Sequence, residues 1–310
     1  MIEINNLVKH YGETKAVNGI SFNVNKGEVL GFLGPNGAGK STTMNIITGY
    51  LSSTSGSVKV NGHDILEEPE LAKKSIGYLP ELPPLYLDMT VIEYLSFIAD
   101  LKKVPKAERK EQLAKILAMV KIANVSDRLI GNLSKGYKQR VGIAQALVGN
   151  PEILILDEPT VGLDPNQILE IRKLIKGLAK EHTVILSSHI LSEIQAVCDR
   201  VVIINKGKVA AISTINDLSS SASMHSKLVL TFKGDLNTVV NSFKSMPGIY
   251  NVDVNMSDND VHEIELSVES EVDIRTNVFY QMVKLNCPII GFTTRGSSLE
   301  EMFLSITSKV

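Results

Sequence analysis

Residues Gly34 to Ser41 read GPNGAGKS, which satisfies the spacing G-x-x-x-x-G-K-S/T. The motif follows the apolar run Val29 to Leu33 and precedes a helical pattern starting near Thr42, the context in which such a loop binds phosphates. Glycines let the chain turn its N–H groups inward as an anion nest, running from Gly34 through Asn36, Gly37 and Gly39 to Thr42. The helix N-terminus that follows adds positive potential. Lys40 has the length to reach β- and γ-phosphates. Ser41 supplies a hydroxyl for Mg²⁺, an ion that keeps few protein ligands and relies on substrate phosphates for others. A second stretch, ILILDE from Ile153 to Glu158, is a buried strand with two adjacent carboxylates at its C-terminal end, where open α/β sheets bind ligands. Alternation points the two in different directions. Asp157 suits a Mg²⁺ ligand, and Glu158 suits the general base for an attacking water, a role worth about 10² to 10⁴ in rate.

These residues need a scaffold, and the first 217 residues alternate short apolar strands with helical patterns, the grammar of an α/β domain. Val29 to Leu33, Ile153 to Leu156, Val184 to Leu186 and Val201 to Ile204 are nearly unbroken apolar runs, as expected of parallel strands covered on both faces. Residues 90 to 148 read as a helical insertion. Thr90 and Glu93 form a capping-box pattern, and Leu113, Ile116, Leu117 and Val120 recur at helical spacing.

Ser219 to Ser226, SSSASMHS, is small and polar, so residues 218–226 read as a linker. Beyond it, residues 227–310 carry a second pattern. Leu228, Leu230 and Phe232 alternate as on a strand, and Leu236, Val239, Val240 and Phe243 follow at helical spacing. Val252, Val254 and Met256, then Ile264, Leu266 and Val268, predict two more strands. Val278, Phe279, Met282 and Val283 mark a helix face, and Pro288 to Thr294 predict a fourth strand. The order βαββαβ is that of a small α+β, ferredoxin-like domain. Ser298 and Glu301 predict a cap for a last short helix.

Composition narrows the functional classes. With 310 residues, 44% hydrophobic and 21% charged, the chain can bury a sizeable core. Its 32 Lys and Arg against 34 Asp and Glu give a net charge of −2, so no global basic field holds nucleic acid or anionic lipid. Residues 219 to 310 hold 7 basic and 11 acidic side chains, net −4. The first 25 residues lack the layout of a signal peptide, and no run reaches the 18 apolar residues of a spanning helix. Cys198 and Cys287 stand apart without ligand spacing, so neither a disulfide framework nor a zinc site is expected. A reducing cytoplasm is the natural compartment.

Taken in order, the motifs of residues 1 to 217 resemble the ATP-binding-cassette (ABC) ATPases, a P-loop NTPase fold with a helical insertion. LSKGYKQR, Leu133 to Arg140, is similar to the family's LSGGQ signature; Pro159 to Asp164 includes the GLD of its D-loop; His189 in SSH matches its switch histidine. Tyr11 sits where the family stacks an aromatic residue on adenine. The resemblance implies ATP as ligand, Mg²⁺ as its companion, and His189 as a catalytic residue. Lys135 and Tyr137 depart from LSGGQ, while Ser134 and Gly136, which meet the γ-phosphate in the family, remain. Glu81, in IGYLPELPPLY, replaces the Q-loop glutamine; it can coordinate Mg²⁺ but cannot donate an N–H bond to water.

In the family the signature completes the site of a partner cassette, so the resemblance implies a head-to-tail dimer, read here as a homodimer. IGYLPELPPLYLDMTVIEYLSF, LSKGY and the terminal SSLEEMF resemble a bacterial exporter branch linked to drug, ion and gliding-motility export. There the integral membrane permease is a separate chain, which implies attachment to the cytoplasmic face of the membrane. Leu82, Leu85, Tyr86, Leu87 and Met89 would suit a groove for the permease's coupling helix. The alternative is a soluble ABC ATPase acting on DNA or ribosomes, although no nucleic-acid partner is expected from the charge.

Overall fold

A computed structural model describes residues 1–218, 225–258, 260–269 and 274–296. The chain divides into two compact units, one spanning Met1–Ile215 and one beginning at Asn216.

The first unit holds two sheets. β1 (Ile2–Tyr11) pairs antiparallel with β2 (Thr14–Val24) and β4 (Ser55–Val60), with the short β5 (His63–Asp64) at the far edge. The second sheet has the order β10-β9-β3-β8-β7-β6, formed by β3 (Val29–Leu33), β6 (Ile76–Leu79), β7 (Ile153–Asp157), β8 (Thr183–Ser188), β9 (Arg200–Asn205) and β10 (Lys208–Thr214). Its four pairings from β9 to β6 are parallel, and only β10 runs antiparallel. β3, β7 and β8 are buried at every position, which explains their unbroken apolar runs. Between the sheets lies one core, where Ile4 and Phe22 from the antiparallel sheet meet Phe32, Ile155 and Met44. The Phe22 and Phe32 rings are 5.4 Å apart.

Register decides where chemistry gathers. Asp157 of β7 lies opposite Ser187 of β8, and Ser188 lies opposite Leu33 of β3. Three strand ends, each followed by a functional segment, are therefore adjacent. α1 (Lys40–Ile47) leaves the end of β3 through the glycine loop. α6 (Pro165–Leu178) follows β7, and α7 (Leu191–Val197) follows β8.

The insertion is helical, as its spacing predicts. Beyond α2 (Pro69–Lys74) come α3 (Val91–Leu101), α4 (Lys106–Met119) and α5 (Lys135–Leu147). Thr90 and Glu93 form the reciprocal capping box, with the Glu93 amide donating to Thr90 Oγ1 at 3.3 Å and the Thr90 amide donating to Glu93 Oε2 at 2.8 Å. The Thr90 amide and then the Thr90 hydroxyl, both donating to Glu93 Oε2, hold the Glu93 carboxyl below its usual pKa.

The second unit runs β11 (His225–Lys233), α8 (Leu236–Lys244), β12 (Ile249–Asp258), β13 (Val261–Glu269), α9 (Arg275–Lys284) and β14 (Ile289–Gly296). Its sheet has the order β12-β13-β11-β14 with every pairing antiparallel. Leu230, Phe232, Phe243, Ile264 and Met282 form its core.

Several expectations need correcting. His225 and Ser226 belong to β11 rather than to a linker, because ladder bonds come from the backbone and tolerate small polar residues. Leu218, the first residue of the expected linker, is buried; residues 219–224 lie outside the described residues, as does the expected helix cap at Ser298 and Glu301. Val254 and Met256 are half exposed although they alternate with buried Val252, since β12 is an edge strand with register shifts at Ile249/Asn251 and Val254/Met256. On α9 the buried stripe narrows to Val278 and Met282, leaving Phe279 and Val283 exposed.

Candidate functional site

At the three strand ends a cleft of about 580 Å³ is lined by Asn36, Gly37, Gly39, Lys40, Ser41, Thr42, Glu81, Glu158 and His189, together with Ala16 and Val161. The local chain explains its shape. Gly37 and Gly39 take φ of 79° and 104°, left-handed values that disfavour other residues. A side chain on Gly39 would meet the Ala16 carbonyl oxygen at 2.4 Å. No side chain caps α1 and no acidic residue stands in its first turn, so its terminal amides keep their attraction for an anion. Gly34 supports the loop from behind, its missing Cβ lying 2.4 Å from the Ile204 carbonyl oxygen.

Lys40 is buried. Its Nζ donates to the carbonyls of Gly34 at 2.8 Å and Pro35 at 3.3 Å, and lies 3.4 Å from Glu158 Oε1. Glu158, also buried, meets His189 Nδ1 through its other oxygen at 2.9 Å. The base candidate is thus gripped by a cation and an imidazole. Its backbone has φ 47°, a left-handed conformation uncommon outside glycine and costing on the order of 1–3 kcal/mol. A bond from its amide to Ser187 Oγ at 2.9 Å holds that conformation, and the Ser187 hydroxyl donates onward to Asp157 Oδ1.

Asp157 lines an adjoining groove of about 690 Å³ together with Ser41, Glu81 and Tyr78. The hydroxyl and two carboxylates named from sequence therefore share one neighbourhood. Such an all-oxygen set, open toward the anion nest, fits a hard ion that keeps most of its coordination for water and phosphate. Burial, then the charges of Asp157 and Glu81, pushes the Tyr78 hydroxyl well above its ordinary pKa, keeping it a donor to Asn45 Oδ1 at 3.0 Å.

Three expected residues lie elsewhere. Tyr11 ends β1 in the hairpin to β2, half exposed, with Lys9 Nζ 5.4 Å from its ring centre; it is absent from the cleft lining. Ser134 caps α5, accepting from the Tyr137 amide at 3.5 Å. Gly136 packs so near α6 that a Cβ would stand 2.6 Å from Gln167 Oε1. The non-glycine Lys135 fits because its Nζ occupies the space that a side chain on Gly162 would need. Neither Ser134 nor Gly136 lines the cleft holding Lys40. Ser187, Ser188, Thr160 and Glu193 join the site with no role assigned from sequence; the pair of serines before His189 is the visible trace of the first two.

Residues 17–161 match the profile of the family described as ABC transporter. A linearmycin resistance ATP-binding protein of Bacillus subtilis (strain 168) is 34% identical over 314 residues, spanning 100% of this chain and 99% of that protein. A bacitracin transport ATP-binding protein of Bacillus licheniformis is 42% identical over 211 residues, 67% of this chain and 68% of that protein. Among solved structures, an ATP-binding subunit of an ABC transporter matches with TM-score 0.65 and 32% identity, covering 71% of this chain and 92% of that one. A dimeric ATP-binding cassette in a post-hydrolysis state, bound to ADP and phosphate, matches with TM-score 0.63 and 26% identity over 69% of this chain and 99% of that one.

Proposed function

This chain belongs to the ABC transporter family of ATP-binding proteins, and from that membership we propose that it hydrolyses ATP to energise a separate membrane permease, for export. The observation that carries the chemistry is the placement of Glu158 between Lys40 and His189 in the cleft lined by the glycine loop. The loop amides and Lys40 hold the β- and γ-phosphates. Glu158 takes a proton from water as the new O–P bond forms and the bond to the ADP oxygen breaks. His189 orients Glu158. Ser41, Asp157 and Glu81 would hold Mg²⁺, which when bound neutralises charge developing on the phosphate oxygens.

Because Ser134 and Gly136 stand outside their own cleft, the reading assigns them to the cleft of a second copy in a head-to-tail homodimer, with Tyr11 stacking on adenine. The groove beside Glu81 supports docking of a permease coupling helix. Leu82 lines that groove and is exposed, and Tyr86 and Leu87 are exposed further along the same segment, whereas Leu85 and Met89 are half-buried. No helix among the described residues is long and apolar enough to cross a membrane, so attachment to the cytoplasmic face would run through the permease. The relatives' names point to an antibiotic-class cargo.

Residues 1–217 would form the cassette, and the chain from His225 onward a ferredoxin-like accessory domain, a reading supported by the βαββαβ order and the sheet order β12-β13-β11-β14. Its task would be to keep two cassettes close when nucleotide has left, raising their effective concentration. A detergent pull-down with the full chain as bait tests the transport reading. Recovery of a polytopic membrane chain is expected; recovery of ribosomes or DNA-bound proteins alone would overturn it.

A further inference from the structure

We propose that Glu193 is a positioning residue for hydrolysis, one buried carboxylate oxygen locking the segment that carries Glu158 to the segment that carries His189. The inference rests on the assignment of Glu158 as base and His189 as its partner. Glu193 lies in the first turn of α7 and is 4% exposed. Its Oε2 accepts from Thr160 Oγ1 at 2.7 Å and from Ser188 Oγ at 2.8 Å. Thr160 stands two residues after Glu158. Ser188 directly precedes His189, and its hydroxyl in turn accepts from the Ile190 amide at 3.0 Å. His189 is thereby fixed on both sides, and it reaches back to Glu158 Oε2 at 2.9 Å. The bonds close a ring through both functional residues: Glu158, Thr160, Glu193, Ser188, His189 and Glu158 again.

A purely structural ion pair would look different. The nearest cation, Arg172, places NH2 3.9 Å from Glu193 Oε1, at the outer limit of pairing, and among the described residues its buried Nε has no hydrogen-bond partner. Both short contacts of Glu193 go to hydroxyls of the two functional segments. Charge-assisted bonds of this kind are stronger than neutral ones, and losing the acceptor would leave two buried hydroxyls without their partner. The strained Glu158 backbone makes such a brace useful, because a displacement of about 1 Å can cost on the order of 10² in rate.

The test compares Glu193→Ala, Glu193→Gln and the double variant Thr160→Val/Ser188→Ala in the full chain, reading kcat and KM for ATP, equilibrium ATP affinity and thermal midpoint. Glu193→Ala is expected to lower kcat roughly 10- to 100-fold, with KM and affinity within about threefold. Glu193→Gln keeps an oxygen that can accept from both hydroxyls and is expected to recover most of the rate, while the double variant reproduces the alanine loss. Wild-type kcat in Glu193→Ala, or a glutamine variant as impaired as alanine, would overturn the proposal. Should Glu193→Ala fail to fold, wild-type kcat in the double variant would overturn it equally. Glu158→Gln is assayed in parallel: wild-type turnover there would remove the base assignment itself, a failure separate from that of the Glu193 brace.

Discussion

β7 and β8 in the first unit and β12 in the second show two ways of placing carboxylates on strands. β7 and β8 are buried along their whole length, and apart from Thr183 at the start of β8 their polar side chains gather at the C-terminal ends, Asp157, Ser187 and Ser188, with Glu158 one residue beyond. β12 buries Val252 and leaves most of its length exposed, including Asp253 and Asp258. A carboxylate at a covered strand end is dry, oriented by fixed donors and strong in its local field. One on an exposed edge is hydrated and screened by salt. Both regions supply the same functional group, so the catalytic role proposed for Glu158 rests on where the sheet stops.

The sharpest test of that contrast is Glu158→Gln against Asp253→Asn. Phosphate release at saturating ATP should fall by about 10² to 10⁴ in the first, with ATP binding retained, and should stay within about twofold in the second, as for a hydrated surface carboxylate. A comparable loss in both would break the comparison. In the second unit the sensitive property should be volume rather than charge. Phe243→Ala removes a fully buried ring from its core and should cost about 3–5 kcal/mol in denaturant unfolding of that unit. Nucleotide affinity, measured by titration, should be unchanged.

Smaller still is Thr90→Ala, which removes one half of the capping box of α3 and should cost about 1 kcal/mol, seen as a shift in the urea midpoint of the first unit. The least effect is expected from pH on thiol labelling. Burial first, then the Asp199 charge, pushes the Cys198 thiol far above its ordinary pKa. Raising the pH from 7 to 9 should therefore not speed labelling of Cys198 in the folded chain, whereas unfolding should expose it. Rapid labelling in the native state would show that the interior behind β3 opens.

Much of this arrangement is legible in the primary structure. GPNGAGKS and ILILDE carry their own context, because a loop that must bare its amides needs glycine and a strand covered on both faces needs an unbroken apolar run. Helical spacing found the insertion, and alternation found the strands of the second unit in order. Burial was less legible. Phe279 and Val283 keep helical spacing with Val278, yet spacing does not say how wide a stripe the sheet covers; Val254 keeps alternation, yet alternation assumes a regular ladder.

What the sequence by itself determined was each element and the chemical type of each strand end, since both follow from contacts within a few residues. Only the tertiary structure decided which ends meet. The parallel pairing of β7 with β8 brings Asp157 beside Ser187 across 30 residues of chain, turns Glu158 into a left-handed conformation, and lets Glu193 bind Thr160 and Ser188 with one oxygen. Such partners share no local pattern. They are selected by strand register and by the requirement that buried polar groups find one another, conditions that exist only once the sheet has formed.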